Sequence, residues 1–282
     1  MRKREVKMAE KIYSEIPMRT WRWLGVNEAK ADEAVLAIDN GRQELVVPAG
    51  ESRQLTVVYR QAGEGQVQVK VEKGGFLKLT TVQLLPVDAQ GASSVQVELA
   101  DTAELEAVAV EAGSAKSLAK MEVNLAGNES KANVYVLYFG HGASQLDMNY
   151  VLVQQGKNTE ANLHVYGALL GEANKIFRGT LDFRHGSKGY EKEEVVVLSS
   201  KVRNRSVPLM LSAEDAVEGH HAVSIGKIDE NKLFYLMSRG LDMQEARRLV
   251  VEAAFNPVLD RIEDKDLYQE LDEYIKEGLA DE

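Results

Sequence analysis

The sequence contains no cysteine. That excludes disulfides, thiolate-held zinc, thiol nucleophiles and any iron–sulfur cluster ligated by the chain's own sulfurs. Proline is scarce, 5 in 282 residues, so no proline-rich spacer divides the chain. No run approaches the roughly 18 consecutive apolar residues of a membrane-spanning helix. Met1-Arg2-Lys3-Arg4-Glu5 leads into charged sequence rather than a signal-peptide core. These absences together predict a cytoplasmic protein that does not engage membranes. Also missing are GxxxxGK[ST], GxGxxG after a strand, and HExxH, which removes P-loop, dinucleotide and zincin chemistry. Serine–histidine pairs, paired carboxylates and histidine–carboxylate metal sites remain as enzymatic routes. No such pair stands out, and the expectation is a protein that is not an enzyme.

What is present is an ordinary globular composition, 44% hydrophobic and 28% charged, with a net charge of −10. The excess has a location. Residues 1–42 carry +2, the middle −5 and residues 227–282 −7. A C-terminal segment that acidic repels a phosphate backbone, so nucleic acid is not an expected partner.

Three regions differ in period. Residues 1–42 read mostly as helix, with alanine, glutamate and leucine concentrated between Glu28 and Ile38 and the Trp21-Arg22-Trp23-Leu24 cluster as an interruption. Two tryptophans so close together are expected to anchor the terminal segment on a core; an exposed partner patch is the alternative. Residues 43–228 read as a β-core. Gln66-Val67-Gln68-Val69-Lys70-Val71-Glu72 alternates without a fault, as do Ser94–Leu99 and Lys120–Leu125. Further apolar runs follow at Val134–Phe139, Leu146–Val153, Leu163–Tyr166, Phe177–Phe183 and Val195–Leu198. Glycines from Gly113 to Gly186 punctuate them about every fourteen residues, 73 positions over five intervals. An antiparallel sandwich and a parallel β-helix both fit such alternation. The near absence of Asn-Gly and Asp-Gly turns favours the β-helix.

Residues 229–282 return to helical period. Asp229 caps a helix through Leu233-Phe234-Tyr235-Leu236 that Gly240 stops. Asp242 and Glu245 form a capping box, and Ala246, Leu249, Val250, Ala253 and Ala254 follow as an apolar stripe. Pro257 is expected to end or kink that helix. A last acidic helix carries Leu267, Leu271, Tyr274 and Ile275 on one side.

The five histidines sort by position. His164, between Leu163 and Val165, points away from their face and is expected in solvent. His141 and His185 precede glycines at turns. His220 and His221, if extended, point to opposite faces and do not chelate one metal together.

The segment Gly219-His220-His221-Ala222-Val223-Ser224-Ile225-Gly226-Lys227-Ile228-Asp229, followed by Leu233-Phe234-Tyr235-Leu236 and Ser238-Arg239-Gly240, resembles the C-terminal signature of the SufB/SufD family of the SUF iron–sulfur cluster assembly machinery. Leu163–Ser200 is similar to the family's preceding β-region, and Trp21-Arg22 to an aromatic-Arg element near its start. The resemblance implies a mainly β fold: a right-handed parallel β-helix with a small N-terminal helical segment and a C-terminal helical subdomain. It implies docking of a SufC-like ABC ATPase through Phe234, Tyr235, Ser238, Arg239 and Gly240. It also implies pairing with a SufB/SufD-type paralogue or with itself through the β-core. His221 aligns with the family's interface histidine, and so becomes the candidate metal ligand for a transient iron–sulfur cluster shared with a partner. No cofactor of the chain's own is expected.

Departures from the pattern refine the expectation. Gly219-His220-His221 stands where SufD-type members have Cys-Ser-His, and Ala222 where SufB-type members have a carboxylate. The chain is also short beside typical SufD proteins, suggesting a reduced N-terminal region. It resembles a SufD-like accessory subunit, a scaffold or adaptor rather than a thiolate-bearing cluster site. The alternatives are a homodimeric iron-handling subunit using oxygen and nitrogen ligands, and a β-helix protein that binds or processes polysaccharides.

Overall fold

A computed structural model describes residues 9–280. Its core is a parallel β-solenoid of two seven-stranded sheets. The odd sheet runs β3 (Asp39–Val47), β5 (Gly63–Val71), β7 (Gln90–Leu99), β9 (Lys116–Leu125), β11 (Gln145–Gln154), β13 (Asn174–Phe183) and β15 (Arg203–Ser212). The even sheet runs β4 (Ser52–Tyr59), β6 (Phe76–Leu85), β8 (Glu104–Gly113), β10 (Lys131–Gly140), β12 (Glu160–Leu169), β14 (Ser187–Val197) and β16 (Val217–Lys227). One rung takes two strands and two corners. Lys131 pairs with Glu160, 29 positions on, so the glycine interval read in the sequence is half a rung.

Alternation follows from this winding. Side chains of one parity stack in a dry lumen, and those of the other parity meet solvent or a covering element. Val67, Val95, Met121 and Tyr150 lie in register on successive strands and are all buried. The corners use left-handed residues rather than hairpin turns: Thr102, Glu129 and Asn158 have φ of 56°, 58° and 56°. Asp101 and Asn128 tie successive corners together, accepting from the Asn128 and Lys157 amides at 2.8 and 2.9 Å.

The two sheets have different covers. Helices α3 (Met243–Leu259) and α4 (Lys265–Ala280) lie on the even sheet. There Val251, Phe255, Val258, Leu267, Leu271 and Ile275 meet Val108, Val110, Leu137 and Phe139. The capping box of Asp242 and Glu245 is present. The apolar stripe is rotated from the expected one: Leu249 is exposed, and Val251 and Phe255 carry the contact. Pro257 does not end α3, which continues two residues beyond it to Leu259. A proline that close to the terminus forfeits little of the helical ladder.

The expected N-terminal helical segment is corrected. Residues 1–8 lie outside the described residues. From there β1 (Glu10–Glu15) and β2 (Glu28–Asp32) form an antiparallel ribbon, and helix is confined to a 3-10 turn at Arg22–Leu24 and to α1 (Glu33–Leu36). The reason is packing. Ala29 and Ala31 alternate inward onto Ala92 and Leu118 of the odd sheet, and that two-residue period outweighs helix propensity. Polar links pin the ribbon. The Arg178 guanidinium donates to the Val26 carbonyl and pairs with Asp147, while the Tyr13 hydroxyl donates to the Ser93 carbonyl at 2.6 Å. Among the described residues no helix is long and apolar enough to cross a membrane.

Only the faces are covered. β15 pairs with β13 alone and β16 with β14 alone, which leaves both sheets with an open edge at the C-terminal end of the solenoid. Nearly every residue of β16 is exposed.

Candidate functional site

That open end closes over a group of charged side chains inside the lumen. Counting back from Val195, which lies in the core, the same parity places Glu193 and Glu191 inward. Lys175 faces inward by the same rule from Phe177. Lys175 and Glu193 form a buried ion pair. The Tyr138 hydroxyl donates to Glu193 Oε1 at 3.0 Å, and Lys175 Nζ donates to Asn204 Oδ1 and Ser206 Oγ, each at 2.9 Å. The ammonium also lies 5.1 Å from the Tyr138 ring centroid and 5.5 Å from that of Phe177, within cation–π range.

Glu191 has no such provision. Its side chain is buried and, among the described residues, its Oε2 accepts no hydrogen bond. It fits because residue 179 is glycine: a Cβ there would lie 2.1 Å from Glu191 Oε1. Burial pushes the Glu191 carboxyl up to about 8, and the neighbouring Glu193 adds to the rise. Burial lowers Lys175 to about 8 against the opposing pull of Glu193. Burial, reinforced by Glu193, raises the Tyr138 phenol well above its ordinary value. At neutral pH the lumen therefore holds a protonated carboxylic acid beside an ion pair. Such an acid can exchange its proton for an arriving cation, since desolvation penalises the bare carboxylate and a counter-charge relieves it.

His221 belongs to the same row. Pairing of β14 with β16 places His221 opposite Glu191, Val223 opposite Glu193 and Gly219 opposite Gly189. It stands on the last rung, uncovered and exposed. His220 is opposite Tyr190 on the outer face, 3.7 Å from Glu218, so the two histidines diverge as expected of an extended pair. Among the described residues no three histidine, aspartate or glutamate side chains converge on a metal position. One chain supplies His221 and a carboxyl row beneath it. Two of the other histidines pack against neighbouring side chains. His164 is half-buried rather than solvated, its ring stacked on Tyr135 at 5.0 Å, and His141 Nε2 lies 2.7 Å from the Tyr274 hydroxyl on α4.

A second surface lies just after β16. Helix α2 (Glu230–Ser238) is capped by the Asp229 side chain and buries none of its residues. Phe234 is 76% exposed and Tyr235 56%. Arg239 lies over the Tyr235 ring at 5.3 Å, and Ser238 Oγ donates to the Tyr235 carbonyl at 2.7 Å. Gly240, at φ 102°, turns the chain toward α3; an L side chain strains in that conformation. Phe234, Tyr235 and Ser238 stand one turn apart or adjacent on the helix, Arg239 caps it and Gly240 ends it. A nine-residue helix is marginal by itself in water, and this one presents its largest apolar groups outward.

Residues 37–254 match the family model described as SUF system FeS cluster assembly, SufBD core domain. The chain belongs to the SufBD family. It is 32% identical over 149 residues to the iron–sulfur cluster assembly protein SufD of Bacillus subtilis, a match covering 52% of this chain and 34% of that protein. A SufBD family protein of Pyrococcus horikoshii is 27% identical over 187 residues, covering 66% and 42%. One from Mycobacterium leprae is 25% identical over 195 residues, covering 68% and 22%. The chain thus spans between about a fifth and two fifths of the curated SufBD relatives it matches.

Sequence reasoning singled out His221 and the α2 residues and passed over Tyr138, Lys175, Glu191 and Glu193. Glu191-Lys192-Glu193-Glu194 has the composition of a solvated face. Only the parity carried back from Val195 and Val197 marks its odd-numbered members as luminal.

Proposed function

We propose that this SufBD chain is a non-catalytic scaffold or adaptor subunit of a SUF-type iron–sulfur cluster assembly complex. It docks a SufC-like ABC ATPase through α2 and the start of α3. It pairs across the open end of the solenoid with a second chain, its own copy or a SufB/SufD-type paralogue. The observation that carries this reading is α2: a well-capped helix with Phe234 and Tyr235 turned outward, next in sequence to the uncovered edge strand β16. A rigid link between a docking helix and a sheet edge lets nucleotide-driven movement at one reach the other. Double substitution Phe234→Ala/Tyr235→Ala should abolish co-purification with the ATPase, with thermal stability unchanged because both side chains are exposed. Retention of the ATPase by that variant at micromolar concentration would remove the docking claim.

The lumen favours a second role within the same complex. Glu191, whose buried Oε2 has no partner among the described residues, and His221 above it in register supply oxygen and nitrogen donors suited to ferrous iron as cargo. Pairing two open ends would face two such sets. Anaerobic titration with ferrous iron should show binding that falls at least tenfold in Glu191→Gln and in His221→Ala. Unchanged binding in both variants would return His221 to a structural role and leave any cluster thiolates to a cysteine-bearing partner. Family membership supports cluster assembly in place of the polysaccharide reading of the β-core.

A further inference from the structure

The Trp21-Arg22-Trp23-Leu24 turn does not anchor the N-terminal ribbon. Trp21 is 73% exposed and Trp23 80%, with Met18 and Leu24 exposed beside them. The ribbon is held elsewhere, through Arg178, Tyr13, Ala29 and Ala31. The turn has a defined position. At its end, Gly25 lies against Arg205 of β15, with 3.8 Å between its Cβ position and the guanidinium, and the next carbonyl, that of Val26, is held by Arg178 of β13. The turn that carries the exposed tryptophans therefore lies beside the last strand of the odd sheet, at the rim of the open end.

We propose that this turn is a clasp that seats on a second copy of the chain when two open ends pair. The inference rests on the pairing reading above and adds to it the residues that make the pair stable. Area is the first argument. The open end is two strands wide and ten or eleven residues long. At about 3.3 Å per residue and about 10 Å between sheets, with side chains included, such a face offers roughly 500–650 Å². Standard interfaces bury about 800 Å² per partner. Each tryptophan contributes roughly 150–250 Å², which closes the deficit. Chemistry is the second. Tryptophan and arginine dominate the energetics of protein interfaces, and in a two-fold pair each clasp needs an apolar seat on the other copy. The outer row of β15 offers one: Val207, Leu209 and Leu211 alternate with the core-packed Met210 and are only half-buried.

The chain has only two tryptophans, so tryptophan emission, excited selectively over the tyrosines, reports on the clasp alone. Emission should be blue-shifted at high protein concentration and move red on dilution, in step with the dimer-to-monomer change seen by analytical ultracentrifugation. Trp21→Ala/Trp23→Ala should weaken the dimer roughly 30-fold or more without lowering thermal stability, because neither ring is packed in the monomer. A double variant that dimerises as tightly as the parent overturns the clasp and leaves edge pairing standing. A parent chain that stays monomeric, with red emission at every concentration, overturns self-pairing and the clasp together. A blue shift on adding phosphatidylglycerol vesicles, with none on self-association, overturns the clasp by giving the turn a bilayer instead. Ile225→Pro, which disrupts the exposed edge of β16, should dissolve the pair and turn the emission red at all concentrations.

Discussion

Lys175→Met is expected to cost about 3–5 kcal/mol of stability, the penalty of leaving a buried carboxylate without its counter-charge. Glu193 would keep only the Tyr138 hydroxyl, with Asn204 and Ser206 losing their donor. The double change Lys175→Met/Glu193→Gln should recover most of that loss, since a neutral amide still accepts from Tyr138 and no charge remains to be solvated. Equilibrium urea denaturation of parent, single and double variants checks the pattern. In a solenoid each rung touches only its neighbours, so the single variant should also speed amide exchange in β13 to β16 while β5 to β9 stay protected. A single variant as stable as the parent would mean that water reaches the pair, and the dry lumen would have to be abandoned. The asymmetry between single and double variants is the informative part: a pair that is nearly neutral as a unit but costly to break is a specificity device. Here it fixes the polar row at the mouth, against Glu191.

How much of this was legible beforehand depended on whether composition and period agreed. At Val67, Val69 and Val71 they did: apolar residues on one parity, polar on the other, and the register of the solenoid confirms the face. At Glu28 to Asp32 they disagreed. Alanine and glutamate favour helix, yet Ala29 and Ala31 are two apart, and the odd sheet offered a flat apolar strip to match. At Glu191 and Glu193 composition misled outright. Four charged residues in a row read as wet, and nothing local announces that the even-numbered pair faces out while the odd-numbered pair is sealed inside. That needs the facing strand β13, across the lumen, where Gly179 makes the room and Lys175 supplies the charge. The α2 face was legible because its signals are local: Asp229 as cap, Gly240 as stop, and aromatic residues between them. The tryptophan turn was visible but misassigned. Its role depends on which side of the ribbon carries the packing, and two small alanines carry it.

Stability should fall, not rise, as the pH is taken from about 5 to 8. Two luminal carboxyls set the sign. Glu111, buried among Gln83, Ser93 and Ser117, is pushed up from 4.5 to about 8 by burial, against the lowering effect of the hydrogen bonds from Ser117 and Gln83. Glu191 is raised to a similar value. In each case the folded state holds a proton that the unfolded chain has released, so the contribution is complete below pH 4.5 and gone above about 8. Each group gives a slope of about 1.4 kcal/mol per pH unit, and the two together up to about 2.7. Other groups act outside this window or against it. Glu172, Glu218 and Glu263 are held low by Lys201, Lys188 and Lys78, and their contribution is lost only in acid. His164 is lowered by burial, then by Arg261 and Lys192. It tilts the curve the other way below about pH 6.5, one partly buried group against two deeply buried ones. Lys175, lowered to about 8, restores some stability only at higher pH. Thermal midpoints at pH 5.5, 7 and 8.5 should therefore descend, and Glu111→Gln should remove about half of the descent while raising the midpoint at pH 8.5. Gln at that position still accepts from Ser117 and Gln83, so its effect isolates the charge. A parent chain with a flat profile from pH 6.5 to 8.5, matched by the variant, would show that the lumen is hydrated and its carboxyls ordinary. The proton-for-cation exchange assigned to Glu191 would then lose its physical basis, because that exchange depends on the cost of a bare charge in a dry interior.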